Sequence, residues 1–325
     1  MHKSKSPTYF IATVLAAAAT SAAAQPYPTR PITLVVGFPP GGGADTVARI
    51  VTEKMSKILG QTFVIDNKPG AGTTLASSQV ARAAPDGYTL LLANDSLYGS
   101  DQLLYKSARY DGAKDFTAIT RWSSSPLLLA VRKDFPAATV QDLVKQARSA
   151  PGKLTFSSSG TGVITHLAGV AFTQAADIKM LHVPYKGGAP SIQAVAAGET
   201  DMTFGTPPSV MPLAQGGRLR VMAVTTAQRS PLFPDLPGMK ELGIDNVDFT
   251  LTFGLFGPAG LPKDVAQRLF DASIEALNDP EVKAKLAKQG NQAAPSASMD
   301  EFRSSSLKQG QITRDLTARS GATAN

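Results

Sequence analysis

Two stretches of this chain repeat one pattern, and the repetition constrains the fold more than any other feature. "TLVVGFPPGGGADTVARI" (33–50) and "LTFSSSGTGVITHLAGV" (154–170) each run from an apolar strand through a glycine-rich turn into a helical pattern. A second pair echoes the first, "YTLLLANDS" (88–96) with "TDMTFGTPP" (200–208). Two α/β lobes of similar build would each carry a glycine turn at the carboxyl end of a sheet, where open α/β sheets bind ligands. Two such lobes face to face enclose a cleft.

The segments between agree with that plan. Apolar runs predict strands at 32–38, 62–67 and 88–94, separated by helical patterns at 44–59 and 73–84, the second stopped by Pro85. That βαβαβ order implies a parallel sheet covered on both faces. A second cycle starts near 125–135. Helices are predicted over 139–149, 163–176 and 190–198, the last opened by Pro190, and strands over 153–159, 179–185, 200–206 and 219–226. Helices follow from about Asp264 to Leu277 and on to Gln289, with a last amphipathic stretch from Met299. No period of 20–50 residues is present, which excludes a solenoid.

Lys3 and Lys5 precede an apolar stretch from Tyr9 to Ala19, and Ala22 and Ala24 form an A-x-A pair before Gln25. This is the pattern of a secretory signal peptide, residues 1–24, cleaved between Ala24 and Gln25. Without Lys3 and Lys5 the remainder holds 30 basic against 25 acidic residues, a net +5. The charges are scattered, which argues against nucleic acid as a partner. There is no Cys, so thiol catalysis and Cys-based metal sites are excluded. Beyond the leader only His166 and His182 remain, and neither sits in an HExxH pair. No cofactor and no metal are expected.

The first turn fails as a phosphate loop. Ala44 and Asp45 stand where Walker A needs Lys and Ser or Thr, and Thr46 replaces the third glycine of GxGxxG. What survives is the backbone. Glycines let N–H groups approach a ligand, and a helix N-terminus adds about half a positive charge. That suits a carboxylate. Asp45 either stabilises the first helical turn or accepts a hydrogen bond from ligand, water or a neighbouring loop. The second turn offers the hydroxyls of Ser157, Ser158, Ser159, Thr161 and Thr165. His166 is either a packed or capping side chain, or a base for one of the serines. Asn94, Ser96, Tyr185 and Thr206, in other small-residue loops, are the polar groups best placed to reach a ligand. Lys186 either meets an anion or is simply solvated, and Trp122 reads as core.

Taken together, "YPTRPITLVVGFPPGGGAD", "NKPGAGT", "APDGYTLLLAN", "SSSGTGVITHLA", "VPYKGGAPSIQAVAAGETDMTF", "LRVMAVTTAQRSPLFPDLPGMKELG" and "GLFGPAGLP" resemble the Bug, or TctC-like, family of periplasmic substrate-binding proteins of tripartite tricarboxylate transporters. The resemblance implies a two-lobed type II periplasmic-binding-protein fold with mixed, largely parallel sheets. It implies a small organic carboxylate (di-, tri- or aromatic) as ligand, held by the two glycine turns, often through ordered waters. Phe38, Pro39, Gly41, Gly42 and Asp45 would form one jaw, and Ser158, Gly160, Thr161, Gly162 and His166 the other. The partner would be a membrane permease of the tripartite class, and the binding protein itself a monomer and not an enzyme.

The sequence departs from the family pattern at Val163, where Ser is common, at Val170, where an acid is common, and at Thr73, usually Gly. A less polar second jaw suggests a ligand less hydrophilic than citrate or aspartate. The lobes would comprise 25–124 with 250–325, and 125–249, hinged near 124–126 and 249–252. The rival reading is a periplasmic hydrolase using His166 and a serine of 157–159. A weaker third is a signalling module that presents the same closed cleft to a sensor.

Overall fold

The computed structural model describes residues 27–319 and 321–322, so the expected leader lies outside the described residues. From the first strand the chain runs β1 (Ile32–Val36), α1 (Gly43–Leu59), β2 (Phe63–Asn67), α2 (Thr74–Ala81), β3 (Thr89–Ala93), a five-residue helix α3 (Ser100–Leu104) and the long β4 (Phe116–Pro126). It then builds β5 (Leu128–Arg132), α4 (Val140–Ser149), β6 (Thr155–Ser158), α5 (Ile164–Ala175), β7 (Leu181–Pro184), α6 (Gly188–Ala197), β8 (Met202–Gly205), α7 (Pro207–Gln215) and β9 (Leu219–Val224). The chain returns through β10 (Thr250–Pro258), α8 (Lys263–Asn278), α9 (Pro280–Lys288), β11 (Gln292–Ala293) and α10 (Met299–Arg319).

Two sheets result, ordered β11-β4-β10-β3-β1-β2 and β7-β6-β8-β5-β9. The sequence echo is visible in their wiring. β2-β1-β3 and β7-β6-β8 are both parallel triplets with the glycine-turn strand in the middle. The sheets are mixed, and their antiparallel pairings come from β4, β10 and β11 in the first and β5 and β9 in the second. β10 and β5 run against the triplets, and β4 and β9, each paired with one of these, run back in the triplet direction, so the antiparallel share exceeds what the triplet segments alone suggest.

Helix α1 buries Val47, Val51 and Met55 on one stripe and stops at Gly60, which is left-handed (φ 68°). A capping box of Thr139 and Asp142 starts α4. Helix α2 starts one residue later than its pattern, at the left-handed Thr73 (φ 88°), and ends three residues earlier, with Arg82 as its cap ahead of Pro85. Trp122 is fully buried and donates from Nε1 to Ser273 Oγ at 3.2 Å, a core role. Elements not predicted from sequence are β4, α3, α7, β10 and β11. The Ser-rich end of β4 lacks an apolar run, and three prolines mask α7, two of them at its start, where a missing N–H costs nothing.

The chain passes between sheets at Pro126–Leu128 and again between β9 and β10. Thr225 ties these passages together. Its Oγ1 accepts from Leu127 N (2.9 Å) and donates to Phe249 O (2.7 Å), while Phe249 N donates to Thr225 O (3.0 Å). No helix among the described residues is long and apolar enough to cross a membrane.

Candidate functional site

Four helices begin at one place between the sheets. An inner cavity of about 30 Å³ is lined by Gly42–Ala44 at the start of α1, Val163–Thr165 at α5, Gly188 at α6 and Thr206 before α7. None of these four N-termini is capped by a side-chain hydrogen bond. The first N–H groups of a helix have no partner within it, so those of α1, α5 and α6 remain available. In α7 Pro207 and Pro208 supply none. Asn94 is 6% exposed and spends its Oδ1 on Ser96 N and Oγ (3.3 and 2.7 Å). Among the described residues nothing engages its amide nitrogen, which leaves two more donors beside the cavity. The remaining wall is apolar, from Phe38, Val163, Ile164, Leu251 and Phe253. No charged side chain lines it.

Phe38 and Ser159 also line an outer cavity of about 240 Å³, between Gly37–Pro39, Pro69–Thr73 and Tyr105 on one side and Ser159–Thr161 and Pro184–Gly187 on the other. Lys186 is its one charged lining residue. The inner space holds a carboxylate-sized group or about two waters. The outer one takes a larger body.

The expected site residues therefore divide. Phe38, Gly42, Asn94 and Thr206 line the inner cavity, and Phe38, Pro39, Gly160, Thr161 and Tyr185 the outer. Thr206 donates its hydroxyl to Ser209 Oγ (3.1 Å), and the Tyr185 hydroxyl reaches Glu199 (3.2 Å). Asp45, Ser96, Ser158, Gly162 and His166 are buried behind the lining and hold it, while Gly41 is exposed and lines neither cavity. Asp45 is 3% exposed. Its carboxylate accepts Gly41 N at 3.0 Å and the Arg49 guanidinium through Nε and Nη2, both at 2.9 Å. Burial alone pushes this carboxyl up, but Arg49, Gly41 N–H and Asn67 override it and hold Asp45 below the usual carboxylate range. The acid is thus spent on folding the glycine turn back onto its helix.

The second turn is held from below by stacked imidazoles. His166 Nδ1 accepts Gly162 N–H at 3.1 Å, and its ring lies 4.0 Å from that of His182. His182 Nε2 meets Ser158 Oγ at 2.6 Å. Burial pushes His166 down to about 4, and burial together with His166 pushes His182 down to about 3, so both rings are neutral near pH 7. This corrects the hydrolase arrangement. The serine of 157–159 that meets an imidazole meets His182, not His166, and neither side chain lines the cleft. No carboxylate hydrogen-bonds either ring among the described residues, so no triad is assembled.

Sequence reasoning missed Gly43, Ala44, Gly188, Leu251, Phe253 and Tyr105 as lining. Gly43 and Ala44 fill the gap between the chosen Gly42 and Asp45, and Gly188 opens α6 within the small-residue loop 184–190. Leu251, Phe253 and Tyr105 reach the cleft only through tertiary folding.

The chain's similarities agree with this geometry. The profile of a family described as "Tripartite tricarboxylate transporter family receptor" (TctC) matches residues 47–322. A Pseudomonas sp. protein named for the tcbD-tcbE intergenic region is 36% identical over 272 residues, 83% of this chain and 81% of that protein. Two solved structures from Rhodopseudomonas palustris superpose closely. One, solved with adipate, has a TM-score of 0.88 and 31% identity, covering 92% of this chain and all of that one. The other, MatC with bound malate, has a TM-score of 0.83 and 29% identity, covering 90% of this chain and all of that one.

Proposed function

This chain belongs to the tripartite tricarboxylate transporter receptor family, TctC, and on that premise we propose that it captures an organic carboxylate by closing two lobes over it and hands it to a membrane permease of that transporter class. The family and its similar structures are periplasmic solute-binding proteins rather than enzymes. The observation that carries the ligand class is the inner cavity. Uncapped helix N-termini and the free amide of Asn94 surround a space with no charged side chain. Such a site offers donors and positive dipole ends to an anion at little desolvation cost.

One carboxylate occupies the inner cavity, directly or through a water, and the rest of the ligand extends past Phe38 into the outer cavity. Val163 supports a less hydrophilic ligand than citrate or aspartate. It sits at the N-cap of α5, 1% exposed, with methyl groups where a Ser would bring a hydroxyl. Adipate and malate in the similar structures are consistent with an aliphatic dicarboxylate. The lobes divide near 124–126 and 249–252, at the passages tied by Thr225, and contacts that only the closed state makes favour closure with ligand. The receptor acts as a monomer, exported by the leader of residues 1–24.

A thermal-shift screen against mono-, di-, tri- and aromatic carboxylic acids tests this. A ligand at a hundred times its Kd adds about 2.7 kcal/mol of stability, and the acid should be recovered unchanged after incubation. No shift with any class of acid would overturn the proposal, and a processed acid would restore an enzymatic reading.

A further inference from the structure

Helix α3 and the residue after it reach across the cleft onto the second glycine turn. The Tyr105 hydroxyl donates to Thr161 O at 2.8 Å. Its ring lies over the Cα of Gly72, where an added Cβ would sit 2.8 Å from Tyr105 Cζ. Leu104 Cδ1 occupies the place a side chain at Gly162 would need, with Ser100 beside it. The Ser100 hydroxyl is buried and has no hydrogen-bond partner among the described residues. Two neighbours hold α3 in the first lobe. Asp101, 1% exposed, accepts the Tyr110 hydroxyl at 2.8 Å and the Thr73 hydroxyl at 3.4 Å. Gly99 packs against the backbone of Gly310 in α10.

The peptide that Tyr105 touches is the one His166 holds. Thr161 C=O accepts from Tyr105, and the N–H of the same unit, on Gly162, donates to His166 Nδ1. One peptide is thereby clamped at both ends, from the first lobe by a phenol and from the second by an imidazole. Hydrogen bonds in such a chain polarise and strengthen each other. The peptide borders the outer cavity at Thr161.

We propose that Tyr105 is the closure latch of this receptor: a positioning residue that, with Leu104 seated at Gly162, locks the Thr161–Gly162 peptide only when the lobes meet. It rests on the reading of the cleft as one that closes. Gly72 and Gly162 are required by it for space as well as for their positive φ, since each lies beneath a side chain of α3 or its cap.

Tyr105→Phe keeps the ring on Gly72 and removes only the hydroxyl. The chain has no Cys, so Leu75→Cys and Leu181→Cys, at positions 50% and 59% exposed on opposite lobes, give a clean spin-label pair. Interlobe distances are measured with and without adipate, in the otherwise unaltered chain and with Tyr105→Phe. The expected result is a closed-to-open ratio lowered about fivefold by Tyr105→Phe, the size of one net hydrogen bond. Adipate should leave about fivefold faster with its association rate unchanged, and the ligand-free melting temperature should stay put. Leu104→Ala should act in the same direction. Identical ratios in both proteins overturn the latch, as does a fall in ligand-free melting temperature that accounts for the whole effect. If adipate leaves all distances unaltered, the carboxylate reading fails for that acid. The ligand-free ratios then decide the latch by the same fivefold difference or its absence.

Discussion

Gly43→Ala separates the stability of a lobe from the stability of the closed state. Gly43 is the first residue of α1, and its φ is not left-handed, so alanine fits the backbone there. Replacing Gly by Ala at a compatible position adds roughly 0.4–1 kcal/mol, chiefly by restricting the unfolded chain. The new methyl faces the other lobe. It would lie 3.1 Å from Cβ, Cγ2 and Oγ1 of Thr206, closer than ordinary contact. Overpacking of this kind typically costs 1–3 kcal/mol, or about 5- to 150-fold in the closing equilibrium. Ligand-free protein should therefore melt at the same temperature or up to about 2 °C higher, while adipate binding by calorimetry weakens at least fivefold. Thr206→Ser in the same chain removes Cγ2, one of the three close contacts, keeps the hydroxyl, and should restore part of the affinity. Two results would refute the reasoning. One is wild-type affinity in Gly43→Ala. The other is a weakened affinity that Thr206→Ser does not relieve.

Between about pH 4.5 and 6 the folded protein should show nearly flat stability. Burial pushes Asp95 and Asp101 up to about 6, so both are protonated when folded and charged when unfolded. His166 and His182 are neutral when folded and charged when unfolded. Two protons released on unfolding match two taken up. His166→Gln removes one of the uptakes, so its stability should fall by about 1.4 kcal/mol per unit as pH rises through that window, read by urea titration at several pH values. Asp45→Asn leaves Arg49 without its carboxylate and keeps only one acceptor for Gly41. It should cost about 1–3 kcal/mol at pH 7 by urea denaturation, a difference that narrows as pH falls below about 4, where protonation of Asp45 removes the same interaction. Lys186→Met should weaken adipate about two- to fivefold and leave hexanoate unchanged, because Lys186 makes no ion pair among the described residues and borders only the outer cavity.

Much of the architecture was legible because the parallel triplets are locally encoded. Each apolar run, glycine turn and helical stripe is complete within about thirty residues, and both copies were found with small errors at their ends. Two of the strands that join the lobes, β4 and β10, were not. β4 ends in three serines and a proline, and β10 carries two glycines, so neither has the run or alternation that marks a strand. Their pairing with each other is what makes them strands. The cavity shows the same division. Gly42 and Thr206 were recognisable beside helix starts, and Asn94 beside a small-residue loop. Leu251 and Phe253 carry no local sign of a cleft, because only the return of the chain brings them there. Asp45 illustrates the limit of reading a residue by type. A buried acid at a glycine turn suggests chemistry, and only the position of Arg49, one turn along the helix, reveals it as a brace.

The uncapped N-termini around the inner cavity have an evolutionary consequence. Their donors belong to the main chain, so side-chain substitution leaves them in place unless it moves the backbone or introduces proline. On the proposed reading the grip on the anion is thereby shielded from mutation, while Val163, Leu251, Phe253 and the outer rim can change without touching it. A receptor built this way changes its cargo by redrawing the wall and never has to reinvent the grip.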